Sequence, residues 1–125
     1  MKEELINPRT GELAKKKGFN WSCRTIYHPD NLEETSSKIQ HLPFNGLNNK
    51  VFKKTVSCFT LPTQSLLQRW LRENYNIQIT VFHFIFRNGK VMYKYHINQD
   101  SLSIYYKTYE EALEEALYEG LKLIT

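Results

Sequence analysis

The chain predicts an α+β fold. It has an antiparallel sheet that includes a hairpin turning at Asn88-Gly89, two long helices packed on one face of that sheet, and a short N-terminal helix. Three observations predict it. Residues 77–86 and 91–98 are two runs rich in β-branched and aromatic side chains joined through Asn-Gly, the strongest short-range hairpin signal. Residues 62–75 and 108–124 carry apolar side chains at helical spacing on either side of that hairpin. Residues 10–17 form a short amphipathic run stopped by Gly18.

In chain order, Leu13 and Ala14 mark the inner side of the first helix, and Phe19 can fold back over its end as the apolar contact of a glycine cap. Residues 21–28 alternate Trp21, Cys23, Thr25 and Tyr27 against Ser22, Arg24, Ile26 and His28, which predicts a strand ended by Pro29-Asp30-Asn31. Residues 29–50 are polar and turn-prone and are expected to form a loop or mobile segment. Residues 51–59 resume as a strand.

The helix over 62–75 buries Leu66, Leu67, Trp70, Leu71 and Tyr75. Thr60 or Thr63 can cap its start, and Asn74 or Asn76 can end it. A type I′ turn at Asn88-Gly89 fixes the hairpin register, pairing Phe86, Phe84 and Phe82 with Val91, Tyr93 and Tyr95, and Thr80 with Ile97. That face is expected to be buried. The other carries Ile79, Val81, His83 and Ile85 against Asn98, His96, Lys94 and Met92. Residues 101–107 read as a short strand. In the last helix Thr108 and Glu111 form a capping box, and Leu113, Ala116, Leu117, Gly120, Leu121 and Ile124 line one side.

A length of 125 residues argues one domain over 1–125, large enough for a core without staples. A hydrophobic fraction of 41% with 14% aromatics excludes general disorder. Cys23 and Cys58 lack CxxC spacing and read as two reduced thiols. The first eight residues are polar and acidic, and the longest apolar run, 81–86, is too short to span a bilayer, so a soluble intracellular protein without membrane contact is expected.

Net charge is +4 and its excess lies in the first half, where residues 1–60 hold 10 Lys and Arg against 6 Asp and Glu, while residues 61–125 hold 7 against 7. Lys15, Lys16, Lys17, Arg24, Lys53 and Lys54 are the residues a nucleic-acid contact would use. The plainer reading is lysines kept for solubility and to discourage edge pairing.

Three runs carry a family resemblance: Leu13-Ala14-Lys15-Lys16-Lys17-Gly18-Phe19-Asn20-Trp21-Ser22-Cys23, Pro62-Thr63-Gln64-Ser65-Leu66-Leu67-Gln68-Arg69-Trp70-Leu71-Arg72-Glu73, and Tyr109-Glu110-Glu111-Ala112-Leu113-Glu114 closing on Leu121-Lys122-Leu123-Ile124. Together they resemble a family of small uncharacterised proteins of gut Bacteroidetes and of the phages and mobile elements that infect them. The resemblance leaves residues 29–58 and the hairpin unmatched. It implies a phage or prophage origin in a bacterial cytoplasm and carries over no functional residue.

The residues themselves offer little site chemistry. In the register above, His83 and His96 are diagonal neighbours on one face, but Lys94 and Asn98 beside them are poor metal ligands, so no metal or other cofactor is expected. A cysteine nucleophile paired with His is arithmetically possible from Cys23 or Cys58, yet both sit in predicted strands and read as inert packing thiols. Glu110, Glu111, Glu114 and Glu115 read as a solvated helix exterior. No P-loop, GxGxxG, HExxH or GxSxG occurs. Tyr105, Tyr106, Tyr109 and Tyr118 could stack bases or anchor a partner, against the plainer reading that they line the junction of sheet and last helix. The expectation is therefore a non-enzymatic binding protein acting by protein contact, as a homo-oligomer or with another protein, through the half-face Ile79, Val81, Ile85 and Met92. Nucleic-acid binding through the basic first half is the alternative.

Overall fold

The computed structural model describes residues 4–28, 39–41, 48–51, 58–101 and 104–124. Its class is α+β, with three α-helices and two small antiparallel sheets among the described residues, where the sequence predicts one sheet. The chain divides into two compact units, Leu5–Thr63 and Met1–Glu4 with Gln64–Thr125. Among the described residues each unit has its own three-stranded sheet: the β-strands before residue 64 pair with one another, and the hairpin pairs with the segment that follows it.

In the first unit, α1 (Pro8–Lys16) starts on a proline, whose missing N–H costs nothing in a first turn. It ends as predicted at Gly18, with φ +95°. The Phe19 amide donates to the Ala14 carbonyl at 2.9 Å and the Gly18 amide to the Lys15 carbonyl at 3.1 Å, while the Phe19 side chain is fully buried. The sheet has the order β2 (Ile39–His41), β1 (Thr25–Tyr27), β3 (Phe59–Thr60). β1 is much shorter than the predicted strand over 21–28. Within the stretch 29–50 expected to be a loop, residues 39–41 are a strand and a 3-10 turn, Asn49–Val51, begins, while residues 29–38 and 42–47 lie outside the described set. Of the strand expected over 51–59 only Phe59 is seen in one; residues 52–57 also lie outside it. Asn49 ties this unit together: its amide nitrogen donates to the Phe19 carbonyl at 2.8 Å and its side-chain oxygen accepts from the Thr60 amide at 2.9 Å.

In the second unit, α2 (Gln64–Tyr75) buries Leu67, Trp70 and Leu71, half-buries Leu66 and leaves Tyr75 exposed. Asn76, at φ +54°, takes the chain out of the helix. α3 (Tyr109–Lys122) begins as predicted, the Thr108 hydroxyl accepting from the Glu111 amide at 3.1 Å. The predicted side Leu113, Ala116, Leu117, Gly120, Leu121 and Ile124 is buried throughout, with Ala112 added. Glu114, expected on the exterior, is buried as well.

The second sheet has the order β4 (Ile79–Ile85), β5 (Val91–Ile97), β6 (Asp100–Ser101), and Tyr106 continues alongside β5 through a bridge to Tyr93. Of the strand expected over 101–107, residues 102 and 103 lie outside the described set. α3 lies against β4, β5 and α2. α2 packs on α3, and its Gln68 donates to the Ile79 carbonyl at the start of β4 at 2.9 Å.

The hairpin register differs from the prediction by one residue. Ile85 pairs with Val91, Phe84 with Met92, His83 with Tyr93, Val81 with Tyr95 and Ile79 with Ile97. The turn is not the two-residue type I′ loop: the Gly89 amide donates to the Phe86 carbonyl at 2.9 Å, the Phe86 amide donates to the Lys90 carbonyl at 2.8 Å, and only Gly89 has positive φ, at +82°. This is a three-residue loop, a type I turn closed by a left-handed glycine. Because side chains alternate with period two, the shift turns the β4 half of the predicted core outward. Ile79 and Tyr95 are buried under α3, whereas Phe84 and Phe86 are exposed.

Candidate functional site

The corrected register builds a face on which, among the described residues, no helix of this unit lies. Phe82, Phe84 and Phe86 from the β4 side, Met92, Lys94 and His96 from β5, and Tyr105 lie together there. Phe82 meets Phe84 at 5.1 Å and the His96 ring at 4.5 Å, and Tyr105 meets Phe84 at 5.8 Å and Phe86 at 5.3 Å, all edge to face. The Lys94 ammonium stands 4.9 Å from the Tyr105 ring centre and 5.7 Å from that of Phe84. Phe84, Phe86 and Tyr105 are each about 40% exposed. The positively charged side chains from residue 74 to 99 are Arg87, Lys90 and Lys94, and that stretch contains no Asp or Glu.

On the opposite face the turn end of the hairpin is also bare. Cross-strand partners Ile85 and Val91 are 69% and 41% exposed, beyond the point where Tyr109, the first residue of α3, meets Tyr93 edge to face at 6.3 Å. Apolar surface is therefore presented on both sides of one hairpin end.

The expected interface half-face does not exist as one surface. Ile79 is buried, Val81 is half-buried beside it, Ile85 is on that side but exposed, and Met92 is on the other side. His83 and His96 likewise point to opposite faces and cannot share an ion. Among the described residues no three of His, Cys, Asp and Glu gather where an ion could be held. Of the tyrosines, Tyr105 turns to the open face. Tyr106 turns inward, its ring 6.0 Å from that of Tyr95. Burial pushes the Tyr95 and Tyr106 hydroxyls above the ordinary tyrosine range, aided by Glu115 and Glu119. Tyr118 lies half-buried beneath the Lys122 ammonium at 4.8 Å.

Of the basic residues expected to meet nucleic acid, Lys15 donates to the Cys58 carbonyl at 2.8 Å and Lys16 pairs with Glu12 at 3.5 Å. Lys17 is half-buried, Arg24 is exposed, and Lys53 and Lys54 lie outside the described residues.

The first unit holds a cluster that sequence reasoning dismissed. His28 Nδ1 is 3.1 Å from Cys58 Sγ, and His28 Nε2 is 3.1 Å from Gln40 Oε1. Cys58, half-buried, stands just before β3 and not in mid-strand; Cys23, by contrast, is buried with its thiol on the Trp21 carbonyl at 3.5 Å. Burial pushes the Cys23 thiol up to about 11, against a lowering contact from Thr60. Nothing in local spacing announces the cluster, because its members lie 12 and 30 residues apart and the sheet register alone unites them.

No helix among the described residues is long and apolar enough to cross a membrane. Comparison with protein-family models, with curated proteins and with solved structures gives no match to the chain.

Proposed function

We propose that the protein is a binding module of phage or prophage origin that acts in the host cytoplasm by protein contact, through the turn end of the β4–β5 hairpin. The observation that carries the proposal is the exposure of apolar side chains on both faces of that end, Ile85 and Val91 on one and Phe84, Phe86 and Tyr105 on the other. Exposed apolar surface of this kind marks an interface, and a protein groove can enclose both faces. Arg87, Lys90 and Lys94 add positive charge, so a surface that is both apolar and acidic is complementary. α3 of a second copy, with Glu110 and Glu111 exposed, offers acidic chemistry, which makes self-association the first case to test.

Light scattering across a concentration series tests this for the wild type and an Ile85→Lys, Phe84→Glu double variant. Self-association that the double variant abolishes supports the reading. If the wild type stays monomeric, a partner captured from host lysate must bind it and not the variant. Equal capture by both removes the proposal.

A second reading rests on the aromatic side of the same hairpin. Exposed rings beside Lys94, in a stretch without carboxylates, suit stacking of single-stranded bases. Nucleic-acid binding would then reside here and not on Lys15, Lys16, Lys17 and Arg24. Titration of labelled single strands at two salt concentrations decides it, since binding through these cations weakens as salt rises.

A further inference from the structure

We propose that Cys58, His28 and Gln40 form a nucleophilic thiol site that accepts acyl groups from activated esters and thioesters. β1 is hydrogen-bonded to both β2 and β3, with Tyr27 opposite Phe59 and Ile26 opposite Gln40. His28 and Cys58 are the residues just past the last pair of that ladder, and the His28 ring lies 3.1 Å from both the Cys58 sulfur and the Gln40 amide oxygen. The sheet that holds the first unit together thus fixes the three side chains.

With the Gln40 amide oxygen facing His28 Nε2 at 3.1 Å, the tautomer that carries its proton on Nε2 satisfies that contact and leaves a lone pair on Nδ1, 3.1 Å from the thiol; this is the tautomer the proposal requires. A nucleophile within reach of a base that is itself oriented by a third group is the arrangement that covalent acyl transfer requires. Gln40 is the positioning residue, because it acts through the imidazole. Lys15, bonded to the carbonyl of Cys58, fixes the backbone at the nucleophile.

In the reaction the Cys58 sulfur bonds to the acyl carbon while its proton passes to His28 Nδ1. The imidazolium returns that proton to the departing oxygen or sulfur as the carbonyl-to-leaving-group bond breaks, and a thioester remains on Cys58. Water gives a proton to His28 Nδ1 as it adds to the thioester, and the imidazolium hands that proton to the Cys58 sulfur as the carbon–sulfur bond breaks, leaving the carboxylic acid and the free thiol.

The test is alkylation of the full-length protein by iodoacetamide with the two cysteines read separately by mass spectrometry. Cys23 is the internal control, since at 3% exposure it reacts only if the fold opens. Cys58 is expected to react faster than the same residue in an unstructured peptide, and roughly tenfold or more slower once His28→Gln removes the base. Gln40→Leu is expected to slow it too, and Gln40→Glu, which keeps an acceptor, to restore it. With p-nitrophenyl acetate, an acetyl group is expected on Cys58 of the wild type and not of the His28→Gln protein. Equal Cys58 rates in the peptide, wild type and His28→Gln, with Cys23 still protected, overturn the proposal, as does failure to acetylate Cys58. If His28→Gln exposes Cys23, the Gln40 pair and the peptide comparison decide instead.

Discussion

The amide of Gly89 is bonded to the carbonyl oxygen of Phe86 at 2.9 Å, and this bond closes the three-residue loop that decides which hairpin rings meet solvent. Gly89 sits at φ +82° with nothing within 4 Å of where a Cβ would stand, so the cost of a side chain there is conformational and not steric. Gly89→Ala is expected to destabilise the hairpin by about 1 kcal/mol, the usual penalty for an L-residue in the left-handed region. Chemical denaturation read through the hairpin aromatics checks it. An unchanged midpoint would mean the turn can adopt another form.

Along β4 the same register separates two isoleucines by role. Ile79 is 7% exposed and packs toward Gly120, whereas Ile85 is 69% exposed at the turn end. Ile79→Ala is expected to cost about 2 to 5 kcal/mol through the cavity it leaves. Ile85→Lys is expected to change stability by no more than about 0.5 kcal/mol while weakening partner binding. Comparable losses from both would show that the hairpin end is part of the core.

How much of this was legible follows from the range over which each signal acts. The buried side of α3 and its Thr108 cap are written within a few residues of one another, and both appear where periodicity places them. The hairpin was also legible, but Asn88-Gly89 serves equally as a two-residue loop and as the close of a three-residue loop begun at Arg87. That one-residue ambiguity was enough to send Phe84 to solvent and to part His83 from His96. The His28, Cys58 and Gln40 cluster had no local signal at all. It depends on which strands pair, and β2 lies inside a stretch whose polarity predicts a loop.

Two helical glycines are expected to respond in opposite ways to the same substitution. A Cβ on Gly11 would stand 2.8 Å from Leu61 Cδ2 and 3.0 Å from the Phe59 ring, so Gly11→Ala is expected to lose about 1 to 3 kcal/mol by overpacking. On Gly120 the nearest atoms, Ile79 Cδ1 and Leu71 Cδ1, are at 3.4 Å, an ordinary contact. Gly120→Ala is expected to gain up to about 1 kcal/mol from helix propensity. Thermal melts of the two variants test the pair. A stabilised Gly11→Ala protein would contradict the tight approach of α1 to Phe59 and Leu61.

Cys23 predicts how stability changes in alkali. Burial holds its thiol protonated in the folded protein up to about 11, whereas the unfolded thiol releases its proton near 9.0. Between these values the unfolded state binds fewer protons than the native one, so stability is fully present below about pH 9 and falls as pH rises toward 11. The full loss is on the order of 2 to 3 kcal/mol. Tyr95, raised by burial from a reference of 10.0, acts in the same direction but begins higher. Cys23→Ala is therefore expected to flatten the decline that begins near pH 9 and to leave the steeper one above about 10. Urea midpoints measured at half-unit pH steps separate the two. An identical profile in the variant would show that the buried thiol is not the group that titrates.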